Sequence, residues 1–489
     1  MLQPAEYYRA LVARDPRFDG IFFVGVTSTG IYCRPICRAP RPRADRCRFF
    51  NTAAAAERRG FRPCLRCRPE LSPGSAPGVS ADAVRRLAEA AAQRIAAGAL
   101  DDMGVDRLAA DLGVSARHLR RVVERELGAT PVELAQTHRL LTAKRLLTDS
   151  PLPVAQIAYA SGFRSIRRLN ALFRERYRLS PAALRRSARG RERATSPSGA
   201  GLALSLSYRP PYDWTAMLAW LRPRVTPGIE AVVRDRYSRA VRIGEHVGVV
   251  SVGAGAKGVG LEVELSPSLL PVLVPLLTRL RRLLDLDADP AIVREHFRRD
   301  RLLAPLSKRR PGIRVPGAME GFDAALRAVL GQQVSVRAAS TLSGRLTELL
   351  GEPLPAELAI EQVTRLPVTA ARLADAGDTA VAAIGLPRTR ARTAIALARA
   401  VAEHKIDLAP GAEIARTRAA LLEIPGIGEW TAEYILLRAV RWPDAFPAGD
   451  LGLRKAAGGV SAAALRRQAE PWRPWRSYAA AHLWQSLQD

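Results

Sequence analysis

The chain has 489 residues, 48% of them hydrophobic, and a formal net charge of +28 from 75 basic and 47 acidic residues. That length suits about three domains with packed cores, and the longest apolar run, residues 269–277, is broken by Pro271 and Pro275 and falls far short of the roughly 20 residues a membrane span needs, so no membrane partner is expected. A basic surplus of this size condenses on polyanions, nucleic acid foremost; since only five of the basic residues are lysine, a GC-rich coding bias accounts for arginine over lysine but not for basic over acidic residues.

Residues 1–15 carry charges throughout and no basic-then-apolar signal, which leads us to expect a cytoplasmic chain. Strand-like apolar runs follow at 21–26 and 48–50. Among them stand Cys33 and Cys37, then Cys64 and Cys67, a C-x3-C and a C-x2-C pair about 26 residues apart. This is the spacing of a closed tetrahedral site for one Zn2+. A disulfide framework would need an oxidising compartment, which the N-terminus gives no reason to expect. Cys47 has no partner left and reads as a spectator. The Ser72 to Gly78 stretch, rich in Pro and Gly, closes a small zinc-binding α/β domain over 1–77.

Ser80 reads as a helix cap, and 3.6-residue periodicity with glycine breaks makes 80–187 an all-α domain. Leu108 to Ser115 followed by Arg117, His118, Arg120 and Arg121 has the grammar of a helix, a glycine turn, a serine cap and a basic second helix. The pattern recurs: residues 154–160, then Ser161-Gly162-Phe163, then Ser165 opening a helix with Arg167, Arg168, Arg174 and Arg176. A helix over about 139–147 joins the two units. Arg117, His118, Arg120, Arg121, Arg164, Arg167 and Arg168 are the candidates for DNA groove or phosphate contact. Residues 188–203 read as a linker. A block at 204–310 then has α+β character, including alternating strand patterns over 240–252, and 311–489 is almost purely helical.

Within the last block, Pro425-Gly426-Ile427-Gly428 separates two helices, and its glycines let backbone N–H groups approach a DNA phosphate. Asp450 follows 22 residues after Gly428. Read locally, it is a helix N-cap candidate. Trp430 and Tyr434, four apart, share a helix face and can offer aromatic surface to an extruded base.

These segments carry three resemblances that together cover nearly the whole chain. Residues 29–38 (TGIYCRPICR) and 60–67 (GFRPCLRC) resemble the N-terminal domain of the bacterial Ada methylation-response family. That implies Cys33 as acceptor of a methyl group from DNA methylphosphotriesters, with Cys37, Cys64 and Cys67 as its fellow ligands and the metal both structural and nucleophile-activating. Arg34, Arg38, Arg41 and Arg43 would steer the phosphate backbone. Four thiolates on Zn2+ sum to about −2, and methylating one leaves about −1, so DNA affinity should rise. The tandem units, with Leu179-Ser180-Pro181, resemble the AraC-type regulators, implying promoter DNA and RNA polymerase as partners; the oligomeric state is left open, though tandem units can bind as a monomer.

Residues 204–489 resemble the AlkA family of helix-hairpin-helix DNA glycosylases, through Pro210 to Trp214, Gly331 to Val336 and Pro474 to Tyr478. This implies excision of 3-methyladenine and 7-methylguanine type bases by Asp450, with Trp484 joining Trp430 and Tyr434 in the base pocket. Cation–π attraction would favour such positively charged bases. Lyase members of the superfamily have a lysine where this chain has Trp430, which cannot form a Schiff base, so a monofunctional enzyme is expected. Gln333 stands where a family member has a leucine wedge. The fold class expected is multidomain α+β: zinc domain, tandem helix-turn-helix domain, α+β subdomain and helical glycosylase domain. The rival readings are a zinc-stabilised DNA-binding regulator, or a zinc-stapled glycosylase, that keeps only one of the two activities.

Overall fold

The computed structural model describes residues 4–15, 18–72, 83–150, 152–188, 202–255, 260–360, 362–409 and 411–488; the spacer at 73–78, the Ser80 cap and most of the 188–203 linker lie outside them. The chain forms two compact units. One comprises Met1–Pro210 with Gly255–Thr278 and Leu286–Ala288, the other Pro211–Ala254, Arg279–Asp285 and Asp289–Asp489.

In the first unit, β1 (Phe23–Val26), β2 (Ile31–Cys33), β3 (Cys47–Phe50) and β4 (Arg62–Pro63) form a sheet of order β3-β1-β2-β4. β1 is antiparallel to β2 and β3, whereas β2 and β4 are parallel. The helix Ala53–Arg58, capped by Thr52, closes one face over Phe23 and Tyr32, and the cysteines lie in a separate cluster with Val24 and Leu11.

The tandem helix-turn-helix reading holds. Val105–Asp111 and Ala116–Leu127 form the first pair, Val154–Ala160 and Ile166–Tyr177 the second. Ser115 accepts from the His118 N–H and Ser165 from the Arg168 N–H, as their cap positions require. The connecting helix is longer than expected, Pro131–Asp149, because Thr130 and Glu133 form a reciprocal capping box at its start.

This long helix is fastened to the zinc domain by buried polar groups. Glu57, 3% exposed, accepts from the Tyr32 hydroxyl at 3.0 Å and the Thr137 hydroxyl at 2.9 Å. Lys144 pairs with Glu70, both almost wholly buried. Burial works against the Glu70 charge, yet Lys144 and Arg68 outweigh it and hold its carboxyl below the usual value. The strands Leu202–Leu206 and Leu261–Leu265 pair antiparallel in the same unit.

The second unit opens with the helix Trp214–Leu221 and an antiparallel meander, Glu230–Val233, Arg236–Ile243 and His246–Ala254. The strand character expected over 240–252 is found as two antiparallel strands with a tight turn between them. Residues 237–241 are buried in succession, so both faces of that strand are covered and no period-2 signal survives. The rest is helical, ending in Arg476–Ser486.

Replacing Lys144 by Met leaves Glu70 buried without its strongest partner and should cost about 3–5 kcal/mol of the first unit's stability, read by thermal unfolding. The double variant Lys144→Met, Glu70→Gln should recover most of that loss. Burial, opposed by its two hydroxyl donors, pushes the Glu57 carboxyl up to about 7 from its ordinary 4.5. A raised folded-state value means stability fully present below about 4.5 and lost as pH rises through about 7. Glu57→Gln should flatten that loss in unfolding curves taken between these limits.

Candidate functional site

The register of the small sheet builds the metal centre. Tyr32 pairs with Pro63 across the parallel β2–β4 ladder, so Cys33 and Cys64, the next residue on each strand, emerge side by side. The Cys64 N–H donates to the Tyr32 carbonyl at 3.0 Å. A turn closed by the Cys37 N–H on the Arg34 carbonyl, 3.1 Å, and another closed by the Arg68 N–H on the Cys64 carbonyl, 3.3 Å, return Cys37 and Cys67 to the same point. All four sulfurs lie within 4.8 Å of one another.

The donor set fits Zn2+. Hydrogen bonding among the sulfurs, from Cys33 first, draws the Cys37 thiol down to about 7, while contacts with Cys37 and its other neighbours hold Cys33 up. So close a quartet of thiolates is tenable only around a cation. The Arg34 N–H donates to the Cys67 sulfur at 3.4 Å and the Ala39 N–H to the Cys37 sulfur at 3.5 Å. Among the described residues, Cys33 has no such backbone donor.

One expectation is corrected here. Arg34 does not face outward: its Nε donates to Asp19 at 2.8 Å and its Nη1 to the Cys67 carbonyl at 3.1 Å, with the side chain 12% exposed. It braces the metal loop. Arg38 and Arg41 are exposed, and Arg43 is exposed beside Asp45. Cys47 is buried with its thiol on the Arg43 carbonyl, outside the quartet.

On the helix-turn-helix pairs, Arg117, Arg120, Arg121, Arg167 and Arg168 are exposed and His118 is half-buried. Arg121 engages His118 at 3.2 Å, and Arg164 donates to the Asp101 carbonyl at 3.0 Å. Among the described residues Arg117, Arg167 and Arg168 carry no ion pair.

In the second unit, Asp450 is the N-cap of the helix Leu451–Ala456, accepting from the Leu453 N–H at 3.0 Å. The N-cap role is therefore real. The same carboxylate also accepts from the indole N–H of Trp484 at 2.9 Å, on Oδ1, and of Trp430 at 3.2 Å, on Oδ2. Trp430 stacks on Tyr434 with ring centroids 5.5 Å apart at 22°, and Tyr434 meets Trp484 edge-on at 6.1 Å. The four residues expected from the sequence thus converge on one aromatic recess with a carboxylate at its edge.

Several residues of this recess escaped the sequence reading. Trp220 packs on Trp484 at 5.1 Å and is itself covered by the Arg224 guanidinium at 3.5 Å. Glu433 accepts from the Phe446 N–H at 3.0 Å and from Arg418 at 3.0 Å, tying the loop before Asp450 to the Trp430 helix. Gly452 lets these groups close up, since a Cβ there would stand 3.1 Å from Asp450 Oδ1 and 3.3 Å from the Trp484 ring and push them apart by a few tenths of an ångström. Arg438, on a π-helical turn continuing the Trp430 helix, donates to the Tyr434 hydroxyl at 3.0 Å. Burial would raise the Tyr434 phenol, but Arg438, Arg224 and Arg327 together pull it below its usual value. The cationic groups beside Tyr434 therefore correct the picture of a purely electron-rich cage.

The hairpin is locked from two sides. Gly426 has φ +91° and lies so close to Thr393 that a Cβ would fall 2.3 Å from its hydroxyl, which itself donates to the Pro425 carbonyl at 2.8 Å. Gln332 donates to the Gly426 carbonyl at 2.8 Å and engages the Thr431 hydroxyl at 2.9 Å. Gly428 caps the helix Glu429–Ile435 with open space around it. Gln333, beside Gln332, is exposed and left-handed at φ +55°.

Four family models match the chain: the metal binding domain of Ada at residues 6–70, a helix-turn-helix domain at 108–187, the AlkA N-terminal domain at 203–320, and the HhH-GPD superfamily base excision DNA repair protein at 326–470. A probable bifunctional transcriptional activator/DNA repair enzyme AlkA of Mycobacterium tuberculosis is 40% identical over 98% of this chain and 96% of its own length. The DNA-3-methyladenine glycosylase 2 of Escherichia coli is 37% identical over 57% of this chain and 96% of its own. The bifunctional transcriptional activator/DNA repair enzyme Ada of Escherichia coli is 33% identical over 28% of this chain and 36% of its own. The four cysteines are accordingly the site of one Zn2+. With its metal centre, helix-turn-helix pairs and hairpin in this order, the chain belongs to the AlkA family of bifunctional transcriptional activator/DNA repair proteins, an Ada-type half fused to an AlkA-type half.

Proposed function

We propose that the chain senses and repairs alkylated DNA, with Cys33 accepting a methyl group from a methylphosphotriester and Asp450 promoting hydrolysis of the N-glycosidic bond to an alkylated base. The observation that carries the second activity is the Asp450 carboxylate held on both oxygens by Trp430 and Trp484, beside aromatic rings that can stack an extruded base. As the bond from sugar to base lengthens, its electron pair leaves with the base and positive charge grows on the sugar. A fixed carboxylate stabilises that charge, and water then bonds to the sugar carbon. Three N–H donors hold the Asp450 carboxylate in place and aimed. Trp430 in place of a lysine supports a monofunctional reaction that stops at the abasic site.

For the first activity, bound Zn2+ supplies one thing, sulfur ligands that stay deprotonated at neutral pH. Cys33 is the most nucleophilic of them by local geometry, because backbone N–H groups draw charge from the Cys37 and Cys67 sulfurs but not from its own. Its sulfur bonds to the methyl carbon as the carbon–oxygen bond breaks, and the electron pair passes to the phosphate oxygen, restoring a diester. Arg38 and Arg41 would hold that diester's neighbours. Among the described residues no side chain is placed to remove a methyl from the thioether, so the transfer would be stoichiometric. The lower negative charge then favours promoter DNA on the exposed arginines Arg117, Arg120, Arg121, Arg167 and Arg168, where RNA polymerase would be recruited.

Asp450→Asn keeps a good helix cap, so folding should survive while release of methylated purine falls roughly 10²–10³-fold. Release unchanged in this variant would remove Asp450 from the mechanism. Incubation with DNA carrying radiolabelled methylphosphotriesters should label wild-type protein on the peptide containing Cys33, in amounts no greater than one methyl per chain. Label on the peptide of Cys64 and Cys67 instead would overturn the assignment.

A further inference from the structure

Beneath the base recess, the second unit holds a cavity of about 80 Å³ that neither proposed activity uses. Its wall carries four guanidinium groups, Arg224, Arg239, Arg327 and Arg438, but only two carboxylates, Glu230 and Asp323. The carboxylates are already committed. Arg239 donates to Glu230 at 3.1 Å and to Asp323 at 2.9 Å, and Glu230 takes further bonds from the Tyr237 hydroxyl at 2.6 Å and the Thr226 N–H at 2.9 Å. Arg224, Arg327 and Arg438 thus face the cavity with no carboxylate of their own.

Two donor atoms among them are buried without a partner, Arg327 Nη1 and Arg438 Nε. Arg438 is only 7% exposed, its other nitrogens being used by the Tyr434 hydroxyl and the Gly317 carbonyl, both at 3.0 Å. Arg327 uses Nη2 on the Ser340 hydroxyl at 2.9 Å. Buried N–H groups of cations left unpaired are costly, and a net surplus of positive charge in the same place compounds the cost. A single anion relieves both.

We propose that this cavity binds a small inorganic anion of the halide class, chloride in the cell, between Arg327 Nη1 and Arg438 Nε, and that its occupancy sets the charge behind Tyr434 and so the preference for cationic over neutral bases. The size suits a partly hydrated monatomic ion, since on this measure a water needs about 10–15 Å³. An oxyanion would need donors for several oxygens, whereas much of the remaining wall is aliphatic, Leu326, Leu330 and Leu346 included. The link to specificity is the Arg438 bond to the Tyr434 hydroxyl, which carries the surplus charge to the stacking ring. With the anion in place that field is offset, and a positively charged 7-methylpurine can stack; without it, a neutral purine is favoured. This second half rests on the base-excision reading above.

The test uses the full chain crystallised with bromide in place of chloride. An anomalous peak between Arg327 and Arg438 is expected; a cavity holding water alone overturns the proposal. In solution, release of 7-methylguanine and of hypoxanthine from DNA is compared as chloride is replaced by glutamate, too large for the cavity, at constant ionic strength. The ratio of the two cancels the general effect of anions on DNA binding. It should fall roughly tenfold in wild-type protein, the scale of one unit charge acting through a partly buried site. Arg327→Met removes one cation along with the anion it would hold, so its ratio should stay near the wild-type chloride value in both salts, whereas Arg327→Lys, which keeps the charge but weakens the anion site, should give a lower ratio. A bromide peak with an unchanged ratio would overturn the control of specificity, and loss of all base release that leaves the peak intact would instead count against the excision reading.

Discussion

The second unit's recess is arranged around one carboxylate, Asp450, that has to be held in a fixed place while half sheltered from water. Asp450 is given three N–H donors, one from the backbone of the helix it starts and two from indoles that also form the recess wall. Each donor does two things at once. The cap fixes where the helix Leu451–Ala456 begins, the two indoles fix the rings, and Gly452 leaves the room that lets the Trp484 ring come this close. The carboxylate is thereby oriented in advance, so in the proposed reaction little reorganisation is required when charge develops beside it. Glu433 and Arg418 extend the same logic outward by holding the loop that delivers Asp450.

The metal centre answers a similar problem with the opposite sign. Four sulfurs are brought within 4.8 Å, and the parallel pairing of Tyr32 with Pro63 makes this possible, since it aligns the first cysteine of each pair with no loop to spare. Neighbouring cations would lower the reactivity of the sulfurs. The Arg34 side chain is turned to Asp19 and the Cys67 carbonyl, and only its backbone N–H reaches a sulfur. In the proposed mechanism this leaves Cys33 with the least hydrogen-bonded sulfur of the set.

What the sequence discloses depends on whether a residue's role is local. The cysteine spacing, the Ser115 and Ser165 caps, the hairpin glycines and the Trp430–Tyr434 pair all act within a few residues of themselves, and the structure places each as its pattern implies. Roles that depend on distant partners left no such trace. Arg34 looks like any basic loop residue until Asp19 is found beside it, and Trp220 lies over 260 positions from Trp484 in the chain yet packs on it. The strand character expected over 240–252 holds, but its division into two strands was not legible, because the first is covered on both faces over 237–241 and has no polar side to show. Glu57 was silent as well, being one acidic residue in an alanine-rich helix until Tyr32 and Thr137 give it a purpose.

Glu57 also bears on how a charge change at one sulfur can matter to helices that do not touch it. Cys33 and Tyr32 are successive residues of β2, so one side chain joins the metal cluster while the other is bonded through Glu57 to the Pro131–Asp149 helix. Glu70, three residues beyond Cys67, is bonded to Lys144 on that same helix, and the two helix-turn-helix pairs flank it in the chain. The metal centre and the exposed arginines of the helix-turn-helix pairs thus belong to one compact unit. A linker between them would dilute any electrostatic gain by the entropy of bringing two separate modules onto DNA together. The buried Glu57 and Glu70 bonds limit that cost, so in the proposed mechanism removing a unit of negative charge at Cys33 acts on the affinity of the whole unit for phosphate, and the effect should weaken with salt as any phosphate contact does.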